Sequence, residues 1–262
     1  MSFAGRTGTD WDIYLWRNGQ VSVVANRSGD QLNPSIDQYA DLCVFEDRSS
    51  GNGDIVVADL RTGAARTLVG GPQDDRDPNI SLDRSRVVFV RVENGGANLW
   101  VVQITGGAPR RLTNWPGDEV DPVWSADGRA IYFASNRDGD FDIYRIELYK
   151  TGLTKVAGGP GDQRYPTAWA AWERIVYASN ADGDWELYYK DARNIEGQAT
   201  RLTDNDSDDL YPSYGHAVGA ADEIVFASNA GGKWHLMRMR TEPITGPVPV
   251  DTGAIEAWQP GF

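Results

Sequence analysis

The sequence is poor in the residues that build cross-linked or reactive sites, since it holds one cysteine, Cys43, and two histidines, His216 and His235. A single cysteine excludes an internal disulfide framework, and its place in the apolar run Leu42–Phe45 predicts a small buried hydrophobe. No Gly-x-Ser-x-Gly motif is present, so the chain lacks the nucleophile elbow of a hydrolase. The sequence therefore offers no nucleophile and base pair for catalysis.

Long apolar runs are also missing. No stretch approaches the 18 residues of a membrane span, and the start Met-Ser-Phe-Ala-Gly lacks the basic and apolar regions of a signal peptide. No segment shows the i, i+3, i+4 periodicity of an amphipathic helix. The net charge of −13 argues against a nucleic-acid partner, which needs a basic face, and favours cations or basic partners.

What the chain has in abundance is repetition. Six prolines stand 44, 44, 44, 46 and 48 residues apart, each with an acidic residue four positions earlier: Pro34, Pro78, Pro122, Pro166, Pro212 and Pro260. In every unit an aromatic residue that closes an apolar run is followed ten positions later by an aliphatic one, as in Phe133 and Ile143. A period in the forties is typical of propeller blades or helical arrays, and the absence of helical periodicity favours blades.

One unit contains four strand-like segments separated by turns. Asp121–Ser125 is interpreted as a strand that begins at Pro122, where the missing N–H is tolerated, and hairpin turns precede and follow the next apolar strand. This pattern predicts an all-β, six-bladed propeller with four-stranded antiparallel blades, closed by a C-terminal strand that joins the N-terminal blade. We expect one domain, 1–262, with blades near 1–29 plus 256–262, 30–73, 74–117, 118–161, 162–207 and 208–255.

The segment Asp121–Tyr144 resembles the repeat of TolB-type six-bladed β-propellers, and Tyr177–Asp184, Phe226–Asn229, Arg111–Thr113 and Arg201–Thr203 match parts of it. The resemblance implies fold rather than function, because such propellers serve as protein-binding modules, peptidase accessory domains and polysaccharide lyases. The separate N-terminal domain of TolB and the histidine cluster of the lyases are not found here. The resemblance implies a periplasmic or extracellular location, whereas the missing signal peptide leaves the cytoplasm open.

The proline register also predicts which side chains face the central channel, because side chains alternate along a strand. The second residue after each proline is mostly large and apolar, which assigns it to the blade interior. The residue before each proline then faces the channel and forms a ring at its mouth: Asn33, Asp77, Asp121, Tyr165, Tyr211 and Gln259. Because Asp77 and Asp121 are adjacent in this ring, we expect it to bind a basic group of a partner.

Several alternatives stay open for this mouth. It could be polar only because water fills a narrow tunnel, or Asp77 and Asp121 could ligate Ca²⁺ or another divalent cation. No cofactor is required. The preferred function is a monomeric, non-catalytic binding propeller for a protein or small cationic ligand, and the alternative is a metal-assisted glycan lyase or hydrolase using the mouth carboxylates. The acidic residues four positions before each proline, such as Asp118, are expected to accept backbone N–H bonds in turns.

Overall fold

The computed structural model describes residues 1–149, 152–169, 173–214 and 223–261, and it shows six four-stranded antiparallel sheets arranged as blades. In every blade the proline-bearing strand is first, and the chain meanders outward from it. The six-bladed, all-β fold predicted from the repeat is confirmed.

The strands of the first three blades have the following bounds. Blade 1 contains β1 (Ser2–Arg6), β2 (Asp12–Arg17) and β3 (Gln20–Ala25); blade 2 contains β4 (Gln31–Ile36), β5 (Leu42–Asp47), β6 (Asp54–Asp59) and β7 (Ala65–Val69). Blade 3 contains β8 (Asp74–Ile80), β9 (Arg86–Glu93), β10 (Gly96–Gln103) and β11 (Arg110–Arg111).

The other three blades follow the same order. Blade 4 contains β12 (Glu119–Trp124), β13 (Ala130–Ser135), β14 (Asp142–Glu147) and β15 (Leu153–Ala157); blade 5 contains β16 (Gln163–Trp169), β17 (Arg174–Ser179), β18 (Glu186–Asp191) and β19 (Thr200–Arg201). Blade 6 contains β20 (Asp209–Tyr214), β21 (Glu223–Ser228), β22 (His235–Arg240) and β23 (Val248–Pro249), with a 3₁₀ turn at Ala230–Gly232.

The ring is closed as the register of the repeat predicts. The last strand, β24 (Glu256–Gly261), is the first strand of blade 1 and pairs antiparallel with β1, so that Gly261 lies opposite Ser2. The Ser2 hydroxyl also donates to the Gly261 carbonyl at 3.0 Å. Joining the two ends of the chain in one sheet removes the open sheet edges that an incomplete ring would expose.

The prediction that each first strand begins at its proline is wrong. Each strand begins three or four residues earlier, as β12 does at Glu119, and its pairing with the second strand shifts register around the proline. The shift is a β-bulge, and it recurs in all six blades. In blades 2 to 6 the proline lies inside the bulge and is left out of the ladder, so its missing N–H breaks no pair, whereas in blade 1 Pro260 pairs with Phe3 and Gln259 is the extra residue.

Both repeat markers belong to the buried core. The aromatic residues of the second strands are buried, Phe133 completely so, and their aliphatic partners such as Ile143 are also fully buried. The second residue after the proline is buried in the five described units, as predicted: Ile36, Ile80, Trp124, Ala168 and Tyr214. The sixth, Phe262, lies outside the described residues. Cys43 is buried and free as expected, and burial raises its pKa to about 12.

Candidate functional site

The innermost strands enclose a cavity on the channel axis, and the same three positions of each strand line it. These are the proline, the residue before it and the residue after it. The cavity has a volume of about 120 Å³, which accommodates several water molecules or one narrow side chain. The six residues expected at the mouth all contribute to its lining: Asn33, Asp77, Asp121, Tyr165, Tyr211 and Gln259.

All six mouth residues share a left-handed backbone conformation that the sequence reading did not predict. Their φ angles run from 46° at Gln259 to 54° at Tyr165. Asn and Asp tolerate this region, whereas Tyr and Gln adopt it at a cost on the order of 1 kcal/mol or more each. Glycine is the usual residue at the left-handed position of a bulge. At this mouth each such position instead carries a polar or aromatic side chain.

A hydrogen-bonded chain links the mouth residues of blades 1, 2 and 3. The Asn33 backbone N–H donates to Gln259 Oε1 at 3.0 Å. The Asn33 side-chain Nδ2 donates to Asp77 Oδ1 at 2.7 Å and to Glu46 Oε2 at 3.0 Å. One amide therefore bridges two carboxyl groups and holds both at the channel mouth.

Asp121 is held differently, by an arginine of the next blade. Arg164 donates Nε to Asp121 Oδ2 at 2.5 Å and Nη2 to Oδ1 at 3.1 Å, which makes the ion pair bidentate. Asp121 Oδ2 also accepts the Tyr165 backbone N–H at 3.2 Å. The guanidinium stacks over the Phe141 ring at 4.5 Å. Both oxygens of Asp121 are thus engaged within the protein.

Glu46 is a mouth residue that the proline register could not identify, because it lies on the second strand of blade 2. Strand pairing places it opposite Leu32, next to Asn33. It is 1% exposed and forms an ion pair with the Arg48 Nε. A signal existed in the repeat, since the other five units have a small or apolar residue at this position: Ala4, Val90, Ala134, Ala178 and Ala227.

Asp77 differs from its two acidic neighbours because no arginine pairs with it within ion-pair distance among the described residues. Burial, followed by the charges of Asp121 and Glu46, raises its pKa to about 8. The charges of Arg76 and Arg164 oppose this shift without cancelling it. The raised pKa favours the protonated form of Asp77 at pH 7. We call Asn33, Glu46, Asp77 and Asp121, with Arg48 and Arg164, the acidic half of the mouth.

The opposite side of the mouth is aromatic. Six rings from blades 5, 6 and 1 form a contact series that we call the aromatic half: Trp11, Tyr165, Trp185, Tyr211, Trp234 and Trp258. The Tyr165 and Tyr211 rings lie 4.1 Å apart, and Trp258 contacts Tyr211 edge-on at 5.1 Å. Trp258 also approaches Trp11 at 5.3 Å and Trp234 of the neighbouring blade at 5.9 Å. Ring contacts thus connect blade 5 to blade 6 through Tyr165 and Tyr211, and blade 6 to blade 1 through Trp234 and Trp258.

The acidic residues four positions before the prolines accept backbone N–H bonds, as expected. These bonds join neighbouring blades, however, rather than closing a single turn. Asp162 Oδ1 accepts the Phe141 backbone N–H of blade 4 at 2.9 Å. Its own N–H donates to Asn180 Oδ1 of blade 5 at 2.7 Å. The carboxylates of Asp30, Asp74, Asp118 and Asp208 accept backbone N–H groups in the same way. These residues therefore connect adjacent blades on the face that carries the mouth.

The fold and this repeated geometry agree with the comparisons to known proteins. A sequence model described as the TolB beta propeller domain matches residues 18–171, more than half of the chain. The chain belongs to the TolB β-propeller family. Among curated proteins, no sequence matches this one significantly.

Solved structures show how widely this propeller fold is distributed. TolB from Acinetobacter baumannii superposes with a TM-score of 0.83 at 20% identity, over 96% of this chain and 62% of that one. This chain therefore spans about three-fifths of that TolB. A chain of the nidogen/laminin complex gives 0.72 at 12% identity, covering 99% and 93%. Oligogalacturonate lyase in complex with manganese gives 0.60 at 14% identity, covering 92% and 70%. At these identities the likeness concerns the fold alone.

Of the two histidines of this TolB-family propeller, only His235 lies in a described segment. His235 is exposed on β22, and His216 lies outside the described residues. Within the described ranges, no group of three or more His, Cys, Asp or Glu side chains is arranged to hold a metal ion. The same ranges contain no helix with the length and apolarity needed to span a bilayer.

Proposed function

We propose that this propeller is a binding module whose channel mouth recognises a cationic group of a protein partner or small ligand. The observation that carries this proposal is the state of Asp77. It is a carboxyl group in the cavity lining, between two acids that arginines already neutralise. A ligand cation that reaches Asp77 supplies the charge partner that the protein itself does not provide.

The backbone supports a recognition role at this ring. Tyr165, Tyr211 and Gln259 adopt the left-handed region at a cost, and such strain persists only where the surrounding structure imposes it and concentrates at ligand sites. The strain fixes the direction of each side chain before a ligand arrives. Pre-organisation of this kind reduces the ordering cost of binding.

The aromatic half supplies the second element of the proposed site. Tyrosine and tryptophan contribute large, rigid contact areas and are enriched among the residues that dominate binding energies. A partner segment would insert its basic group beside Asp77 and rest its apolar part on Tyr165 and Tyr211. A divalent cation beside Asp77 and Asp121 is the other occupant that the proposal covers.

Binding of a cation should release a proton, because the pKa of Asp77 is raised to about 8 and falls when a positive charge lies beside it. Affinity should therefore rise as the pH increases toward 8, by up to tenfold per pH unit, and level off above it. A ligand that binds without contacting Asp77 would show no such dependence.

The test is a titration followed by NMR of the Asn33 and Gln259 side-chain amides, with Ca²⁺ and, separately, an acetylated and amidated tetralysine peptide. We expect at least one probe to shift these signals in the native protein and not in the Asp77→Asn variant. Asp206→Asn, which removes one exposed charge elsewhere, is the matched control and should behave as the native protein does. Equal shifts in Asp77→Asn and native protein would overturn the mouth assignment.

A second assay separates binding from the alternative enzyme. Polygalacturonate is incubated with the protein in Ca²⁺ or Mn²⁺, and the unsaturated product of β-elimination and new reducing ends are measured. The binding proposal expects no product above the level given by Asp77→Asn. Product formation that depends on Asp77 would replace the binding module with a metal-assisted lyase or hydrolase.

A further inference from the structure

The outer part of blade 5 contains a lysine at a position where the repeat places apolar side chains. Lys190 is the fifth residue of β18 and is 9% exposed. The equivalent residues of the other third strands are Trp16, Ala58, Val102, Ile146 and Met239. Residues that depart from the pattern of their repeat are found preferentially at functional sites. Glu46, the other departure of this type, belongs to the mouth, whereas Lys190 has no role in the site described above.

The ammonium group of Lys190 is poorly compensated for its burial. Its Nζ donates to the Ile195 backbone carbonyl at 2.8 Å, and it forms no ion pair within 4 Å among the described residues. Burial lowers the pKa of Lys190, and the charge of Glu196 only partly opposes that shift. A larger fraction of this amine is therefore neutral, and so nucleophilic, than of an exposed lysine.

Lys190 lines a cavity of about 550 Å³ between blades 4 and 5. Lys155, the other lysine of this cavity, is engaged with Asp142 at 2.6 Å and Asp138 at 3.1 Å. These contacts raise the pKa of Lys155 and keep it charged. The cavity thus contains one amine held by carboxylates and one held by a single carbonyl.

We propose that Lys190 is a covalent attachment site for small polyhydroxylated aldehydes. The Lys190 amine nitrogen attacks the carbonyl carbon, and the resulting carbinolamine loses one water molecule to form an imine, with no change of oxidation state. Hydrolysis reverses the step. The exposed carboxylate of Asp140 in the cavity lining accepts hydrogen bonds from hydroxyl groups, and together with Asp138 and Asp142 it repels anionic carbonyl compounds. The ligand class is therefore neutral and rich in hydroxyl groups.

The test is reductive trapping of the native protein with glyceraldehyde and cyanoborohydride at neutral pH, followed by peptide mass spectrometry. Lys155 and Lys233 are exposed, so accessibility alone predicts that they react first. We expect Lys190 to carry at least threefold more adduct than either of them. Glyoxylate, an anionic aldehyde, should lose this preference.

Two controls keep the test decisive. Unfolding the protein in urea before labelling should equalise all lysines, because the preference depends on the folded cavity. Lys190→Met places in blade 5 the residue that blade 6 has in Met239, so it should fold and lose only the Lys190 adduct. A native protein in which Lys190 reacts no faster than Lys233 would overturn the proposal.

Discussion

The two halves of the channel mouth share one backbone and have opposite chemistry. In both halves the residue before the proline adopts a φ near 50° within a β-bulge, yet one half presents Asn33, Asp77 and Asp121 and the other Tyr165 and Tyr211. The acidic half is held by ion pairs and hydrogen bonds, and the aromatic half by ring contacts. The comparison shows that the repeat determines where side chains point, while single substitutions determine what each half can bind.

The largest expected effect comes from breaking the ion pair of the acidic half. Asp121→Asn leaves the Arg164 guanidinium without its carboxylate in a mostly buried position, which should reduce the free energy of unfolding by about 3 kcal/mol. Urea unfolding at pH 7 measures this loss. Adding Arg164→Met should recover much of it, and a double variant as unstable as the sum of the single variants would contradict the pairing.

The aromatic half should respond to the loss of its most connected ring. Trp258→Ala removes contacts with Tyr211, Trp11 and Trp234, and a loss of about 2 kcal/mol is expected because Trp258 is partly rather than fully buried. Thermal or urea unfolding gives the value. Trp115→Ala, at a more exposed tryptophan, is the matched control and should cost less. Equal losses would show that the ring series adds nothing to stability.

The third effect is a gain in stability whose size depends on pH. Asp77 has a folded-state pKa of about 8 against about 4 in the unfolded chain, so the folded protein binds the extra proton. The native protein therefore loses stability as the pH rises from about 4 to 8. Asp77→Asn lacks this titration, so its stability advantage over the native protein should grow by about 1.4 kcal/mol per pH unit between about pH 4 and pH 8 and level off above pH 8. Urea unfolding at pH 5 and pH 9 should show the advantage growing with pH; a constant difference would contradict the raised pKa.

Much of the fold and part of the site could be predicted from the sequence. The prolines marked the first strand of each blade, and alternation placed Asp77 in the channel lining and Trp124 in the core, because both depend only on local periodicity. The bulge was missed because proline at a strand start and proline within a bulge satisfy the same local rule. Glu46 and Arg164 were missed because pairing between strands or blades, rather than spacing along the chain, brings them to the mouth.

The mouth has less unpaired negative charge than its carboxylates predict, because arginines pair with two of them. Counting carboxylates along the proline register finds Asp77 and Asp121 but not the arginines that accompany them. Arg48 follows Glu46 on the next turn, and Arg164 reaches Asp121 from the neighbouring blade. The negative charge left for a ligand is therefore concentrated on one residue, Asp77, and becomes available only when that residue loses its proton.

The most direct test of this account is a carbon-13 NMR titration of the Asp77 carboxyl group in the ligand-free protein, assigned by comparison with Asp77→Asn. We predict an apparent pKa of about 8, which should fall when a cationic probe occupies the mouth. If the Asp77 carboxyl titrated near pH 4 in the ligand-free protein, the result would contradict the claim that Asp77 is the mouth acid whose positive partner a ligand must supply.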